Sequence, residues 1–132
     1  MIVGIGSDII DVRRIKKIIN QYGTKFKKRC FTEVEIQRSE KKPNTVSSYS
    51  KRYAAKEACA KALGTGLARG VFWKDISVKN NYFGKPSIIL TGNALQRLNK
   101  LSNKKCFIVV SLSDEKNYAI ANVIIFENNE IY

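Results

Sequence analysis

The sequence of 132 residues contains no histidine, only three cysteines, and 11 acidic residues against 24 lysines and arginines. Without histidine, no imidazole can serve as a general base. Cys30, Cys59 and Cys106 are odd in number and widely spaced, which excludes a CxxC metal pattern and favours reduced, packed thiols over a disulfide framework. No apolar run approaches the length of a membrane span and the start lacks a signal-peptide pattern, so we expect a cytoplasmic chain without a membrane segment.

Length and composition predict one domain over residues 1–132, because 44% hydrophobic residues argue for a core and against disorder. The formal net charge is +13, and residues 1–61 hold 15 of the 24 cations but 6 of the 11 acids, a local excess of +9. This surplus predicts a basic face that attracts an acidic protein, a nucleic acid or a polyphosphate, and charge alone does not choose among them.

An alanine-rich segment predicts a helix over residues 48–63, which ends where Gly64 can adopt the left-handed conformation. The turn Gly64-Thr65-Gly66 then offers backbone freedom and a hydroxyl. A plain helix-ending turn and a phosphate-binding turn both account for this pattern.

Four charged residues of this helix can reach one region. Residues four apart are neighbours, so Arg52 lies above Lys56, and Glu57 lies above Lys61 on an adjoining strip. One interpretation is a solvated helix face with a weak Glu57–Lys61 pair. The other is a partly buried site for phosphate and metal, since the flanking alanines allow close packing.

The amino terminus predicts a short buried strand at residues 2–5, with Gly4 and Gly6 indicating close backbone approach or a bend. Asp8 is expected to project from the end of this strand, as a helix cap or turn residue or as a metal ligand. The stretch lacks the third glycine of a Rossmann fingerprint, and the chain has no GxxxxGK[ST] loop, so the familiar nucleotide motifs are excluded.

An amphipathic helix is predicted from about Asp11 to Tyr22, because apolar residues recur on one helical face. The opposite face is basic and suits either plain solvation or a docked acidic partner. Its cations are Arg13, Arg14, Lys16 and Lys17.

The remaining patterns predict an α+β domain. Thr32 and Glu35 fit a capping box before a short helix, residues 41–45 fit a polar loop, and residues 80–86 fit a turn between two strands. The end, 127–132, is expected to fray. Strands are expected at 76–79, 87–90, 107–112 and 118–126, with a further helix at 93–101.

Two motifs of this chain occur together in one known family. Residues 4–9 follow the pattern G-I/L-G-x-D-I/L, and residues 53–66 follow F-A/S-x-K-E-A-x-x-K-A-F/L-G-T-G with Tyr53 in first place. With Phe31-Thr32, Gly84-Lys85-Pro86 and the strand from 118, these segments resemble the holo-acyl-carrier-protein synthase family of 4'-phosphopantetheinyl transferases. The resemblance implies the 4'-phosphopantetheinyl transferase fold, a single domain with a mainly antiparallel sheet packed by helices.

This resemblance implies transfer of 4'-phosphopantetheine from coenzyme A to a serine of apo acyl carrier protein for fatty acid biosynthesis, with release of adenosine 3',5'-bisphosphate. It implies that Asp8 and Glu57 bind Mg²⁺, an ion that prefers oxygen ligands. Lys61 then places a positive charge on the pyrophosphate, and either Glu57 or a metal-bound water takes the serine proton.

The coenzyme contacts implied by the resemblance come from basic and turn residues, namely Arg52, Lys56, Lys85, Gly64, Thr65 and Gly66. Many family members carry a histidine at the start of the strand pattern H-V-S/T-I/L, where this chain has Val109. Because valine cannot bind phosphate, the contact to the adenosine 3'-phosphate stays open, with Arg52 and Lys85 as candidates.

The resemblance also implies two protein partners. An acidic acyl carrier protein is expected to dock on the basic helix, against Arg14 first and against Arg13 and Lys17 in support. A homotrimer with active sites shared between subunits is expected as well. The rival is a nucleic-acid-binding module, but aromatic residues are not interleaved with the basic ones and no DNA-binding signature occurs, so we expect no nucleic acid partner.

Overall fold

A computed structural model describes residues 1–128 of the chain; the expected fraying end lies outside the described residues from 129 onward. Residue 127 still belongs to a strand, because the Glu127 N–H donates to the Met1 carbonyl at 2.8 Å. The helices are α1 (Val12–Tyr22), α2 (Thr24–Cys30), α3 (Glu33–Glu40), α4 (Thr45–Ala62) and α5 (Gly92–Lys100). The strands are β1 (Ile2–Asp11), β2 (Ile76–Asn80), β3 (Pro86–Leu90), β4 (Cys106–Glu115) and β5 (Tyr118–Glu127), and a 3-10 turn spans Trp73–Asp75.

The described strands form two antiparallel sheets, which confirms the predicted α+β class. One sheet has the order β1-β5-β4, and the other is the β2-β3 hairpin. In the larger sheet Asn122 of β5 lies opposite Ser7 of β1 and Ser111 of β4. Within residues 1–128, no helix is long and apolar enough to cross a membrane.

Helix α4 packs directly on one face of the three-stranded sheet, because β1 has no side chain at the two crossing points. A Cβ on Gly6 would overlap the carbonyl oxygen of Ala58, and a Cβ on Gly4 would overlap that of Ala62. The close backbone approach predicted from these two glycines is confirmed. The buried alanines of α4 complete this contact with little side-chain volume.

Strand β1 is longer than its apolar residues suggested. It continues to Asp11, so Asp8 lies within the strand, opposite Ala121, rather than at its end. The prediction that Asp8 follows the strand as a cap or turn residue is therefore wrong. Asp11 is the cap instead, and its carboxylate accepts the Arg13 N–H at 2.9 Å at the start of α1.

The capping box before α3 is confirmed. The Thr32 hydroxyl accepts the Glu35 N–H at 3.4 Å, and Glu35 Oε1 accepts the Thr32 N–H at 2.8 Å. Glu35 is nevertheless fully buried, which is unusual for a carboxylate at a helix start. It therefore needs a cationic partner inside the protein.

Candidate active site

The crossing of β1 and α4 brings three predicted site residues together. Lys61 Nζ lies 3.1 Å from Asp8 Oδ1 and donates to the Ser7 carbonyl at 3.0 Å. Glu57, one turn before Lys61 on α4, lies within electrostatic reach of the Asp8 carboxylate. The Lys61 side chain is half-exposed while that of Asp8 is mostly covered, so the cluster opens to solvent on the lysine side.

The environment of Glu57 opposes its ionisation. Partial burial is the main cause that raises its pKa, and the negative charge of Asp8 is the second. The positive charges of Lys61 and Arg14 oppose this shift and make the rise in pKa smaller. The net result is a pKa above the ordinary value of a glutamate.

The Asp8 and Glu57 carboxylates fit a magnesium ion. Their mutual repulsion is the kind that a bound divalent cation relieves. The part of the chain that the structure describes has no group of three or more acidic, cysteine or histidine side chains placed for a metal. Mg²⁺ does not need one, because it commonly binds through one or two carboxylates and takes its other oxygens from water and substrate phosphates.

The basic face of α1 lies beside this cluster. The effect of Arg14 on the pKa of Glu57 places its charge near the carboxylates. Arg13 is engaged by Asp11 through two side-chain contacts of 2.9 and 2.7 Å, and this bonding lowers the pKa of Asp11. A cleft of about 500 Å³ runs along these residues and Lys17. Arg14 and Lys17 are therefore freer than Arg13 to meet a partner.

The turn after α4 has the predicted conformation, with φ of 82° at Gly64 and 63° at Gly66. The Gly64 N–H donates a hydrogen bond to the Lys61 carbonyl and the Gly66 N–H donates to the Ala60 carbonyl, each at 3.0 Å. Within residues 1–128, the Thr65 N–H has no such partner, and the Thr65 hydroxyl donates to the Gly66 carbonyl at 2.8 Å. The donor that this turn can offer a phosphate is thus the Thr65 N–H.

Arg52 faces a different cleft, of about 500 Å³, which the structure does not join to the Asp8 cluster. Its guanidinium donates to the Ser48 hydroxyl and to Asn80 Oδ1, both at 2.8 Å. The Nε atoms of Arg52 and Arg38 are buried and have no hydrogen-bond partner among the described residues. Two unsatisfied cationic donors at one cleft suit an anion.

Lys85 stands at the edge of the same cleft. It is exposed on the β2-β3 hairpin, between Gly84 and Pro86, which both line the cleft. Asn81 Oδ1 accepts the N–H groups of Phe83 and Lys85 at 2.9 Å each, which fixes the turn. The predicted turn between two strands is confirmed, and the Lys85 ammonium is available to solvent.

Lys56 does not line either cleft, which corrects its expected place at the coenzyme phosphates. Its side chain is fully buried, with Nζ 2.6 Å from Glu35 Oε1. Nζ also donates to the carbonyls of Cys30 at 2.8 Å and Trp73 at 3.1 Å. Its three donors are occupied inside the core, so none remains for a phosphate.

Three residues of these sites were missed by reasoning from the sequence. Arg38 and Asn80 complete the Arg52 cleft, and Arg97 of α5 donates from Nε to the Leu63 carbonyl at 2.8 Å, just before the glycine turn. Asn80 could have been noticed as the last residue before the hairpin turn. Arg38 and Arg97 carry no local signal, because each meets its site through a contact distant in sequence.

Comparison with known proteins places this arrangement in one family. A family model described as the 4'-phosphopantetheinyl transferase superfamily matches residues 4–123. The chain belongs to this superfamily. The resemblance found in the two motifs is thereby confirmed, and residues 4–123 include Asp8, Glu57, Lys61 and the glycine turn.

Curated members of the superfamily are similar over nearly their whole length. The holo-[acyl-carrier-protein] synthase of Rhizobium rhizogenes is 52% identical over 127 residues, which cover 95% of this chain and 95% of that protein. The protein of the same name from Phenylobacterium zucineum is 51% identical, over 95% and 92%.

Solved structures of superfamily members share the fold. The holo-[acyl-carrier-protein] synthase of Neisseria meningitidis matches with a TM-score of 0.84 and 33% identity, over 96% of this chain and 100% of that one. The Helicobacter pylori enzyme in complex with coenzyme A matches with a TM-score of 0.80 and 30% identity, over 92% and 99%. The predicted transferase fold is confirmed.

Proposed function

We propose that this chain transfers 4'-phosphopantetheine from coenzyme A to a serine of apo acyl carrier protein, in the cytoplasm and for fatty acid biosynthesis. The serine oxygen forms a bond to the β-phosphorus, and the bond to adenosine 3',5'-bisphosphate breaks. The observation that carries this proposal is the cluster of Asp8, Glu57 and Lys61 at the β1–α4 crossing of a superfamily member. Curated relatives named holo-[acyl-carrier-protein] synthase support the substrate pair.

Asp8 and Glu57 would hold Mg²⁺ in this reaction. When bound, the ion neutralises pyrophosphate oxygens and stabilises the charge that develops on the leaving phosphate. The Glu57 carboxylate would also be a candidate acceptor of the serine proton.

Lys61 would bind the pyrophosphate as a point charge. Its Nζ already lies at the Asp8 carboxylate, and about half of the side chain is exposed. A small rotation of this flexible side chain can bring the ammonium onto a phosphate oxygen without loss of packing. Lys61 thereby stabilises negative charge in the transition state.

The Arg52 cleft would bind the adenosine 3'-phosphate. The buried, unpartnered Nε atoms of Arg38 and Arg52 support this, as do Lys42 on the cleft wall and Lys85 at its edge. With Lys51, which also lines the cleft, five cations would take the place of the family histidine. Val109 lies on β4 with half its surface exposed and offers no polar atom.

The carrier protein would dock on α1, against Arg14 and Lys17. Next to the basic face, α1, α2, α4 and the 3-10 turn together form a further cleft of about 650 Å³ with a mainly aromatic and aliphatic lining, which includes Ile18, Phe26 and Tyr53. An acidic helix with an exposed apolar side chain matches this combination of cations and apolar cleft. A nucleic acid would contact only the cations through its phosphates and would leave the apolar cleft unfilled.

The homotrimer is proposed from an exposed apolar surface on the larger sheet. The outer face, which points away from α4, carries Ile5, Ile9, Phe107, Val109, Ile120, Ile124 and Phe126. Ile5 and Ile9 are 68% and 62% exposed, and such a patch marks an interface. Because one subunit keeps the Arg52 cleft apart from the Asp8 cluster, assembly with a neighbour could complete each site.

Intact-mass spectrometry of an apo acyl carrier protein tests the transfer. We expect the mass gain of one phosphopantetheine group with coenzyme A and Mg²⁺, no gain with EDTA, and no gain with Glu57→Gln. The matched control is Glu33→Gln, since Glu33 is an exposed carboxylate on α3. An unmodified carrier in the complete wild-type reaction would refute the proposed function.

A further inference from the structure

The glycine turn lies at the carboxyl end of α4, where phosphate binding is electrostatically unfavourable. A helix carries partial negative charge at its C-terminus, and phosphates are normally bound at the opposite end. Among the described residues 1–128 the Thr65 N–H has no hydrogen-bond partner, so it is a donor placed in a negative field. A phosphate site at this turn requires positive charge to cancel that field.

Arg97 of α5 supplies this charge from a distant part of the chain. Its Nε donates to the Leu63 carbonyl at 2.8 Å, the last carbonyl before the turn. Nη2 packs so closely on Gly64 that a methyl group at this position would lie 3.2 Å from it. Arg97 is half-buried, which strengthens its field, whereas Lys100 on the same helix is exposed.

Three other carbonyls at this helix end are already bonded. Leu63, Gly64 and Gly66 donate their N–H groups to the carbonyls of Cys59, Lys61 and Ala60. The Leu63 carbonyl accepts from Arg97 instead, so the guanidinium satisfies a fourth carbonyl at this helix end and adds a full positive charge there.

We propose that Arg97 is a positioning residue for the pyrophosphate of coenzyme A: it holds the Gly64-Thr65-Gly66 turn and cancels the negative end of α4. This inference rests on the proposed function, in which Lys61 binds the pyrophosphate; Lys61 lies three residues before the turn. Arg97 and Lys61 then flank the turn from two different helices. The carrier protein docks elsewhere, on α1, and does not sense Arg97.

The test compares Arg97→Gln with Arg97→Lys and with the control Lys100→Gln. Two quantities are measured: the Kd for coenzyme A with Mg²⁺ in the absence of carrier protein, and the KM for each substrate during turnover. We expect Arg97→Gln to weaken coenzyme binding roughly fivefold to thirtyfold, the range for one charge at a partly buried helix end. Arg97→Lys restores most of it, and the KM for the carrier protein does not change.

Three results would overturn the inference. One is an unchanged Kd for coenzyme A in Arg97→Gln. Another is a loss of thermal stability in Arg97→Gln and Arg97→Lys alike, with both KM values raised together, because this would describe a structural cap only. The third is an equal weakening of coenzyme A binding in Lys100→Gln, because this would show that any positive charge on α5 has the same effect. If the wild-type chain binds coenzyme A but does not modify the carrier, the proposed function fails, and the Kd comparison still decides the role of Arg97.

Discussion

The Lys56 side chain shows how one buried charge can be mistaken for a ligand-binding one. In the sequence it lies on the same helical strip as Arg52, and its motif suggests phosphate contact. In the structure its ammonium joins Glu35 to two backbone carbonyls, between α2, α3, α4 and the 3-10 turn. Glu35 adds a bond to the Val78 N–H at 2.9 Å in β2. Lys56 therefore belongs to the core.

Replacing Lys56 tests this structural role. Lys56→Met leaves the Glu35 carboxylate buried without its cation, so we expect a loss of about 3–5 kcal/mol in the free energy of unfolding. Urea denaturation followed by circular dichroism measures it. The control Lys28→Met, at an exposed position of α2, should change stability by less than about 0.5 kcal/mol. A Lys56→Met protein as stable as the control would contradict the assignment.

At the scale of elements, the contact between β1 and α4 determines the candidate site. The two glycines let the strand cross the helix at backbone distance, and this places Asp8 against Lys61. A longer side chain at the crossing would separate the two elements. The chemistry of the site thus depends on residues that have no side chain at all.

Gly6→Ala is the corresponding prediction. The new Cβ would overlap the Ala58 carbonyl oxygen, a backbone atom that cannot rotate away. We therefore expect the free energy of unfolding to fall by roughly 1–3 kcal/mol. Ser7→Ala, whose side chain points to the outer face, is the neighbouring control and should cost about 1 kcal/mol or less. Thermal unfolding compares the two. Equal melting temperatures would show that the crossing is not tightly packed.

The sequence predicts most elements because their signals are local. The alanine-rich helix, the capping box, the hairpin turn and the close approach at Gly4 and Gly6 all follow from residues near one another. Helix α2 was not predicted. The end of β1 was placed too early, because Asp8 was interpreted as a residue at the end of the strand. Other features join residues 14 or more positions apart, and no local pattern encodes them. They are the Glu35–Lys56 pair, the Arg38–Arg52 cleft and the contact of Arg97 with Leu63.

At the scale of the whole molecule, the outer face of the larger sheet predicts assembly. Its rows are in register across three strands: Ile5, Ile124 and Val109 lie side by side, next to the polar row of Ser7, Asn122 and Ser111. The Ser7 hydroxyl donates to Asn122 Oδ1 at 2.7 Å, so the polar row already satisfies part of its hydrogen bonding. The neighbouring subunit would have to supply partners for the rest of this row, the Asn122 amide N–H groups and the Ser111 hydroxyl.

Ile124→Asp places a charge in the middle of this face and should prevent assembly. We expect sedimentation velocity to show a trimer for the wild type and a monomer for the variant. The activity of the wild type should fall on dilution, because dilution dissociates the trimer. Ile89→Asp alters an exposed isoleucine of the β2-β3 hairpin and should remain trimeric. A fully active wild-type monomer would contradict the shared-site arrangement.

The paired carboxylates are the central claim, and the Mg²⁺ dependence of carrier modification tests it most directly. Initial rates are measured by intact mass over a range of Mg²⁺ concentrations for the wild type, Asp8→Asn and Glu33→Gln. If Asp8 and Glu57 hold the ion together, Asp8→Asn should raise the Mg²⁺ concentration for half-maximal rate by roughly tenfold or more, while Glu33→Gln follows the wild-type curve. An Asp8→Asn enzyme with wild-type Mg²⁺ dependence would show that the carboxylates at the β1–α4 crossing are not the metal site.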